Sequence, residues 1–389
     1  PAYSVLVEKK VMVPMRDGVR LAADLYRPDA EGAFPVIVSR IPYGRAEPRL
    51  QIAFAGGFFA SQGFVFVAQD VRGKHDSEGT YYPYIHEAED GHDTFEWAGA
   101  QPWSNGKVGT YGFSYFGSTQ WLSAPHRSRH LRAMVPIVTA QNLYKRWIHD
   151  GVFRFNDVLV WHIENRGQRA EKRDDVDWAS AVRHLPLIEA DDAIGHDVPA
   201  YDDWIRNPSP GPYRDRINVE GRVSDIHAPA LIIEGWYDYY LDLAIEDFGR
   251  MREKGGTPEA RQSRLLIGPW THVMTDEFQD RDFGGDASFL DATGEILRWY
   301  QRWLLDAESG LEEEKPIKIF VMGSNHWRSE AEWPLARTRW SHFYLHSGGN
   351  ANTRDGDGLL SRRAPGEEPP DRYVYDPDDP VPSVGGTSI

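Results

Sequence analysis

The sequence predicts a mostly parallel, doubly wound α/β fold with a helical insertion and the beginning of an all-β module. Three observations carry that prediction. Continuous β-branched and aromatic runs alternate with amphipathic stretches over residues 1–140 and 226–314, the order that builds a parallel sheet covered on both faces. Between residues 141 and 225 those runs stop and helical spacing takes over. From residue 315 strand-like runs return, divided by Gly- and Pro-rich turns.

The elements follow in order. In "KKVMVPMRDGVRLAADLYRP" two strand-like runs flank Asp17 and Gly18, a hairpin signal. "FPVIVSR" and "GFVFVAQD" are the continuous apolar runs of strands buried on both faces. "EAEDGHDTFEWAGAQ" reads as a helix, with acidic residues at the end where the helix dipole favours them. "KVGTYGFS" is a short strand, and "YFGSTQWLSA" a helix that Pro125 stops. "LRAMVPIVT", "APALIIEGW" and "SRLLIGPW" continue the alternation. The insertion contains "NLYKRWIHDGVFRFNDVLVWHI" and ends in the proline-broken "RNPSPGPYRDR"; its aromatic residues serve helix packing, or the lining of a cap over a site. In the last segment, 315–389, "KPIKIFVMG", "RWSHFYLHSG" and "DRYVYDPDDP" are the expected strands. A β-sandwich needs more strands than these, so the module is expected to be incomplete, with edges left to cover and a homo-oligomer as one way to cover them.

Composition narrows the function. With 389 residues, 41% hydrophobic and 26% charged, the chain is a globular protein of two or three domains. A formal charge of −16 argues against a nucleic-acid partner. No run approaches the ~18 apolar residues of a membrane-spanning helix. The opening "PAYSVLVEKK" lacks the apolar core of a secretory signal, which makes the cytoplasm the default expectation. The absence of cysteine removes disulfides, thiolate nucleophiles and Cys-ligated metals. The 14 Trp, 18 Tyr and 17 Phe suit an aromatic-lined pocket as well as a bulky core.

In an open parallel sheet, side chains just beyond the carboxyl ends of the strands converge on one edge. Tyr43, Ser114, Asp238 and His272 all occupy such positions. Ser114 stands in "GTYGFSYFGSTQW", where a strand-to-helix turn would read Gly-x-Ser-x-Gly but the second glycine, Gly117, comes one residue late and Phe116 fills its slot. Ser114, Asp238 and His272 run in the chain order of α/β-hydrolases. These residue types suit one chemistry. A serine hydroxyl becomes a nucleophile when histidine accepts its proton, and a carboxylate orients that histidine. The backbone N–H of Tyr115 and the phenol of Tyr43 are candidate oxyanion donors. Asp70 ends a strand but precedes Ser114, and is assigned to loop structure. Asp242 and Asp247 are alternative acids inside the helix after Asp238. His326, His342 and His346 are expected to face solvent or a partner in strands of the β module. "DGDG" at 355–358 lacks the ligand set of a calcium loop and is read as a turn.

The chain resembles the cocaine esterase and cephalosporin acylase group of serine hydrolases, related to Xaa-Pro dipeptidyl-peptidases and α-amino acid ester hydrolases. The resemblance rests on "AQDVRGKHDSEG", "EAEDGHDTFEWAGAQPWSNGKVGTYGFSYFG", "EGWYDYYLD", "IGPWTH" and "YVYDPDDPVPSVGG". It implies an α/β-hydrolase domain split around a helical cap (1–140 and 226–314 around 141–225) and a C-terminal jelly roll beginning at 315. It also implies Ser114 as nucleophile, Asp238 as acid, His272 as base, and Tyr43 with Tyr115 at the oxyanion, with neither metal nor organic cofactor. Tyr239 and Tyr240 follow Asp238 where α-amino acid ester hydrolases carry a carboxylate cluster, which favours neutral acyl groups. The expected substrate is a small-molecule ester or amide, and Trp147, Phe153, Phe155 and Trp161 are candidate pocket residues. An acylase or Xaa-Pro-type peptidase is the alternative, and an inactive hydrolase-fold binding module the remote one.

Overall fold

A computed structural model describes residues 2–169, 176–278 and 281–379. The chain divides into two compact units, one ending at Ala331 and the other beginning at Glu332.

The first unit is built on a ten-stranded sheet. Its strands are β1 (Val5–Pro14), β2 (Arg20–Pro28), β3 (Phe34–Ile41), β4 (Val65–Asp70), β5 (Ser104–Phe113) and β6 (Leu131–Ile137). After a small separate hairpin, β7 (Ile148–His149) and β8 (Val152–Phe153), they continue as β9 (Leu231–Gly235), β10 (Arg264–Gly268), β11 (Ile317–Val321) and β12 (His326–Glu330). The spatial order is β1-β2-β4-β3-β5-β6-β9-β10-β11-β12, parallel from β4 through β11 and antiparallel at both margins.

The helices are α1 (Ile52–Ser61), α2 (Glu87–Gly99), α3 (Ser114–Ser123), α4 (Leu143–Trp147), α5 (Phe155–Asn165), α6 (Trp178–Ala181), α7 (Pro199–Arg206), α8 (Pro212–Asp215), α9 (Leu241–Lys254) and α10 (Phe289–Leu304). α10 shows why they pack as they do. Ala292, Ile296, Trp299, Tyr300 and Leu304 form its buried stripe at helical spacing, and Ser288 caps it by accepting from the Leu290 N–H. The stripe lies on β5, where Gly109 leaves room for Leu304 and Tyr300 and the Tyr300 hydroxyl donates to the Thr110 carbonyl at 2.8 Å. The acidic start of α2 serves more than the helix dipole: Glu87 pairs with Arg40 of β3 at 2.8 Å, and Asp90 with Arg72 at 2.6 Å.

Two sequence expectations are corrected here. The run "KPIKIFV" joins the main sheet as β11, parallel to β10, and β12 carries His326 beside it. A short apolar run reads the same whichever sheet receives it. Asp70, assigned to loop structure, is instead the fully buried last residue of β4. It accepts the Arg45 backbone N–H at 2.8 Å and pairs with the Arg45 guanidinium. The Arg45 guanidinium also holds Asp24 and Asp76.

Within the second unit, β13 (Tyr344–His346) pairs with β14 (Leu359–Ser361) as an antiparallel hairpin. The "RYVYDP" run takes no strand partner among the described residues, and Tyr373, Val374 and Tyr375 are exposed. His342 lies outside the strands. His346 bonds to the Glu368 carboxylate at 2.6 Å and to the Arg363 carbonyl at 2.8 Å. "DGDG" is turn and coil, as read.

One stability prediction follows from the β9–β10 pairing. A Cβ on Gly235 would lie 2.1 Å from the Trp270 carbonyl oxygen, a backbone atom with no room to yield. Gly235→Ala is therefore expected to cost about 1–3 kcal/mol or more through overpacking. Gly249→Ala, where a methyl inside α9 meets open space, is expected to be neutral or stabilising. Thermal unfolding of both variants checks the contrast.

Candidate active site

The site forms where the parallel strands end. Ser114 follows β5 at φ 49°, in the left-handed region, as the first residue of α3. A non-glycine residue in that conformation stores local strain, and a sharp strand-to-helix turn is a recurrent place to keep it. The two glycines have separate causes. A Cβ on Gly112 would lie 2.4 Å from the Phe116 carbonyl oxygen, because the first turn of α3 folds back over it. A Cβ on Gly117 would meet Thr139 at 2.7 Å and the Gly112 and Ile137 carbonyls at 3.0 Å, because α3 packs on the ends of β5 and β6. The tight contact thus falls at residue 117, which leaves 116 open for a phenylalanine buried against Tyr43 and Phe113.

β9 and β10 are neighbours in register, with Gly235 opposite Gly268. Their outgoing loops stay together, since Trp236 N–H donates to the Gly268 carbonyl and Tyr237 N–H to the Trp270 carbonyl. That brings Asp238 and His272 into contact: His272 Nδ1 lies 2.5 Å from Asp238 Oδ2, and His272 Nε2 lies 2.9 Å from Ser114 Oγ. Asp238 is held by accepting the Tyr240 N–H on Oδ1 at 2.6 Å. Tyr239 stacks on the His272 ring at 4.5 Å and 22°. Burial, with the Asp238 charge beside it, pushes the Glu234 carboxyl well above the usual carboxylate range. The other acids are engaged elsewhere: Asp247 accepts the Gln141 N–H at 2.7 Å and pairs with Arg250, and Asp242 is exposed.

Tyr43 stands beside Ser114 on the loop after β3. Its hydroxyl oxygen accepts from Trp161 Nε1 at 3.2 Å. Burial pushes the phenol up to about 12, against hydrogen bonds to Trp161 and Ser114, so it keeps its proton at neutral pH. Tyr115 is in the first turn of α3, where backbone N–H groups have no acceptor within the helix. Its own side chain points elsewhere, donating to Glu87 Oε1 at 2.8 Å and accepting the Tyr84 N–H at 2.9 Å.

These groups open into a cleft of about 1820 Å³. Of the four pocket candidates, Trp147 and Trp161 line it, and Phe153 and Phe155 do not. The reason is the face of α5: Asn156, Val160, Trp161 and Glu164 recur at helical spacing toward the cleft, and Phe155 falls outside that row. Phe153 belongs to the β7–β8 hairpin. The end of α5 is tied down by buried Lys74, which donates to the Asn165 carbonyl at 2.6 Å and the Gly167 carbonyl at 3.0 Å. Sequence reasoning missed Arg146 and Tyr84, which line the cleft, and the stacking of the Tyr84 ring on those of Tyr115 and Trp161. Among the described residues, no group of three or more His, Asp or Glu side chains is placed to hold a metal ion, and no helix is long and apolar enough to cross a membrane.

The site can be set beside known proteins. Residues 17–274 match the X-Pro dipeptidyl-peptidase (S15) family, and residues 309–388 match the C-terminal non-catalytic domain of X-Pro dipeptidyl-peptidases. The chain is 35% identical over 407 residues to the cocaine esterase of Rhodococcus sp. (strain MB1 Bresler), covering 98% of this chain and 70% of that one. In fold it is similar to an aminopeptidase from a marine sediment Thaumarchaeota archaeon, at TM-score 0.79 and 22% identity, covering 98% of this chain and 66% of the other. It is also similar to an α-amino acid ester hydrolase, at TM-score 0.78 and 23% identity, covering 98% and 67%. The chain thus spans about two thirds of the length of these proteins.

Proposed function

The chain belongs to the X-Pro dipeptidyl-peptidase (S15) family of serine hydrolases, and from that premise we propose that it cleaves small carboxylic esters through an acyl-enzyme. The observation that carries this reading is the continuous relay from Ser114 Oγ through His272 to Asp238, at 2.9 Å and 2.5 Å, on the wall of the cleft. Ser114 Oγ attacks the ester carbonyl while His272 Nε2 takes its proton. The tetrahedral oxyanion is held by the Tyr115 N–H and the Tyr43 hydroxyl. His272 then gives the proton to the departing alkoxide, and the alcohol leaves. A water repeats the sequence on the acyl-enzyme, releasing the acid and restoring Ser114. The esterase named among the relatives supports esters over amides. An acylase or peptidase would use the same relay, and turnover of paired esters and amides with one shared acyl group separates the two readings.

The direct test is exposure to a fluorophosphonate followed by intact-mass measurement. A single adduct that is absent from Ser114→Ala supports the reading. No adduct on the folded protein would overturn it and leave a binding module.

Tyr43→Phe removes one hydroxyl from the oxyanion position and leaves the ring packing in place. It is expected to lower kcat by about 10²–10³ with little change in KM, as loss of one oxyanion donor does elsewhere. Because burial extends the neutral range of the Tyr43 phenol upward to about 12, its donor survives into alkaline solution. The parent kcat is therefore expected to stay level from pH 8 to pH 10. A fall across that interval that is absent in Tyr43→Phe would contradict the burial argument.

A further inference from the structure

We propose that Arg146 and Trp147 form an anion subsite that binds a carboxylate at the far end of the acyl group. The inference rests on the esterase reading and replaces the sequence expectation of neutral acyl groups.

Arg146 and Trp147 both line the cleft, with the Arg146 side chain 1% exposed and Trp147 4%. Arg146 spends one terminal nitrogen on Asp157, at 3.1 Å. Its Nε and its other terminal nitrogen have no hydrogen-bond partner, and neither has Trp147 Nε1. Buried donors left without acceptors are costly, and native structures keep few of them. Here three lie on two adjacent residues at the wall of one cleft. All are donors, so the complementary ligand group is an acceptor, and the guanidinium charge favours a carboxylate over a neutral carbonyl. Burial opposes that charge, but the Tyr239 ring beneath the guanidinium and the Asp157 carboxylate favour it, and Arg146 stays cationic.

The geometry also sets the distance from the chemistry. The Arg146 guanidinium carbon lies 3.5 Å over the Tyr239 ring, and Tyr239 stacks on His272 at 4.5 Å. The cation is therefore two ring layers from the imidazole, a separation that an acyl chain of adipate length can span from Ser114.

A purely structural role, in which Arg146 only clamps Tyr239 onto His272, would slow all esters alike. The test is the ratio of kcat/KM for the 4-nitrophenyl hemiester of adipic acid to that for 4-nitrophenyl hexanoate, which has the same chain length without the carboxylate. In Arg146→Gln that ratio is expected to fall at least about tenfold, the scale of a lost charge-assisted hydrogen bond, and Arg146→Lys is expected to recover part of it. An unchanged ratio, with both esters slowed equally, overturns the subsite and leaves the esterase reading intact. Quenching of tryptophan fluorescence by free adipate gives a readout without turnover. Saturable quenching in the parent that is lost in Arg146→Gln supports the subsite even if neither ester is hydrolysed, an outcome that would overturn the ester reading alone. Quenching absent from the parent overturns the subsite. Should Arg146→Gln fail to fold, Trp147→Phe removes the Nε1–H donor together with one ring of the indole, a packing loss common to both esters; a several-fold fall in the ratio supports the subsite and an unchanged ratio overturns it.

Discussion

Ser114→Ala is expected to lower kcat by about 10⁵–10⁶ while the protein folds as the parent does. The size follows from position. Ser114 Oγ is the only hydroxyl among the described residues placed against His272 Nε2, at 2.9 Å. Ser118, the next serine along α3, is turned away toward the Ser114 carbonyl and Thr139, and the Tyr115 hydroxyl is engaged by Glu87. No neighbour is positioned to take over the attack, so what remains is the contribution of the oxyanion donors and substrate binding to attack by water, a residual of roughly 10³–10⁴ over the uncatalysed reaction. The substitution is also expected to leave stability near that of the parent, because alanine at the same positive φ keeps the backbone strain and removes one oxygen. Steady-state kinetics on a 4-nitrophenyl ester, with thermal unfolding alongside, decides the matter. A loss below about tenfold in a folded sample would remove Ser114 from the mechanism.

Much of this site was legible in the sequence because its groups sit at strand ends, and the strands announce themselves as apolar runs. Ser114, Asp238 and His272 each follow such a run, and parallel register then brings residues 238 and 272 together. The Gly-x-Ser-x-x-Gly spacing was visible but its cause was not. It lies in the approach of α3 to the Gly112 and Ile137 carbonyls, a contact between elements that no local pattern encodes. The same limit explains the misplaced β11, whose five residues fit any sheet edge, and the pocket aromatics. Trp147, Phe153, Phe155 and Trp161 have the same composition signal; the face of α5 divides Trp161 from Phe155, while Trp147 ends α4 and Phe153 belongs to the β7–β8 hairpin. Arg146 was illegible for a related reason. One more arginine in a cap rich in arginine says nothing until its partners, and the donors left without them, can be counted.

Asp238→Asn is expected to lower kcat by about 10⁴, the cost of holding the histidine in the wrong tautomer. The local hydrogen bonds determine which tautomer results. Asp238 Oδ1 accepts the Tyr240 N–H at 2.6 Å, while Oδ2 faces His272 Nδ1 at 2.5 Å. An asparagine must keep its carbonyl oxygen toward Tyr240, which directs its NH₂ group at Nδ1. Nδ1 then becomes the acceptor and the ring proton moves to Nε2, where it points at Ser114 Oγ and blocks proton transfer from the serine. Glu234 is not placed to replace the lost carboxylate, since its carboxyl oxygens accept the Thr139 and Gly235 N–H groups at 3.0 Å and 3.4 Å. Because the stack of Tyr239 on His272 does not depend on the Asp238 charge, the variant should bind substrate with KM close to the parent value. Fluorophosphonate labelling should slow in step with kcat, since both require the same proton transfer. A loss under about tenfold in both would take Asp238 out of the relay. Exposed Asp242, whose nearest histidine is His149 at 3.9 Å, would then be the acid to test next.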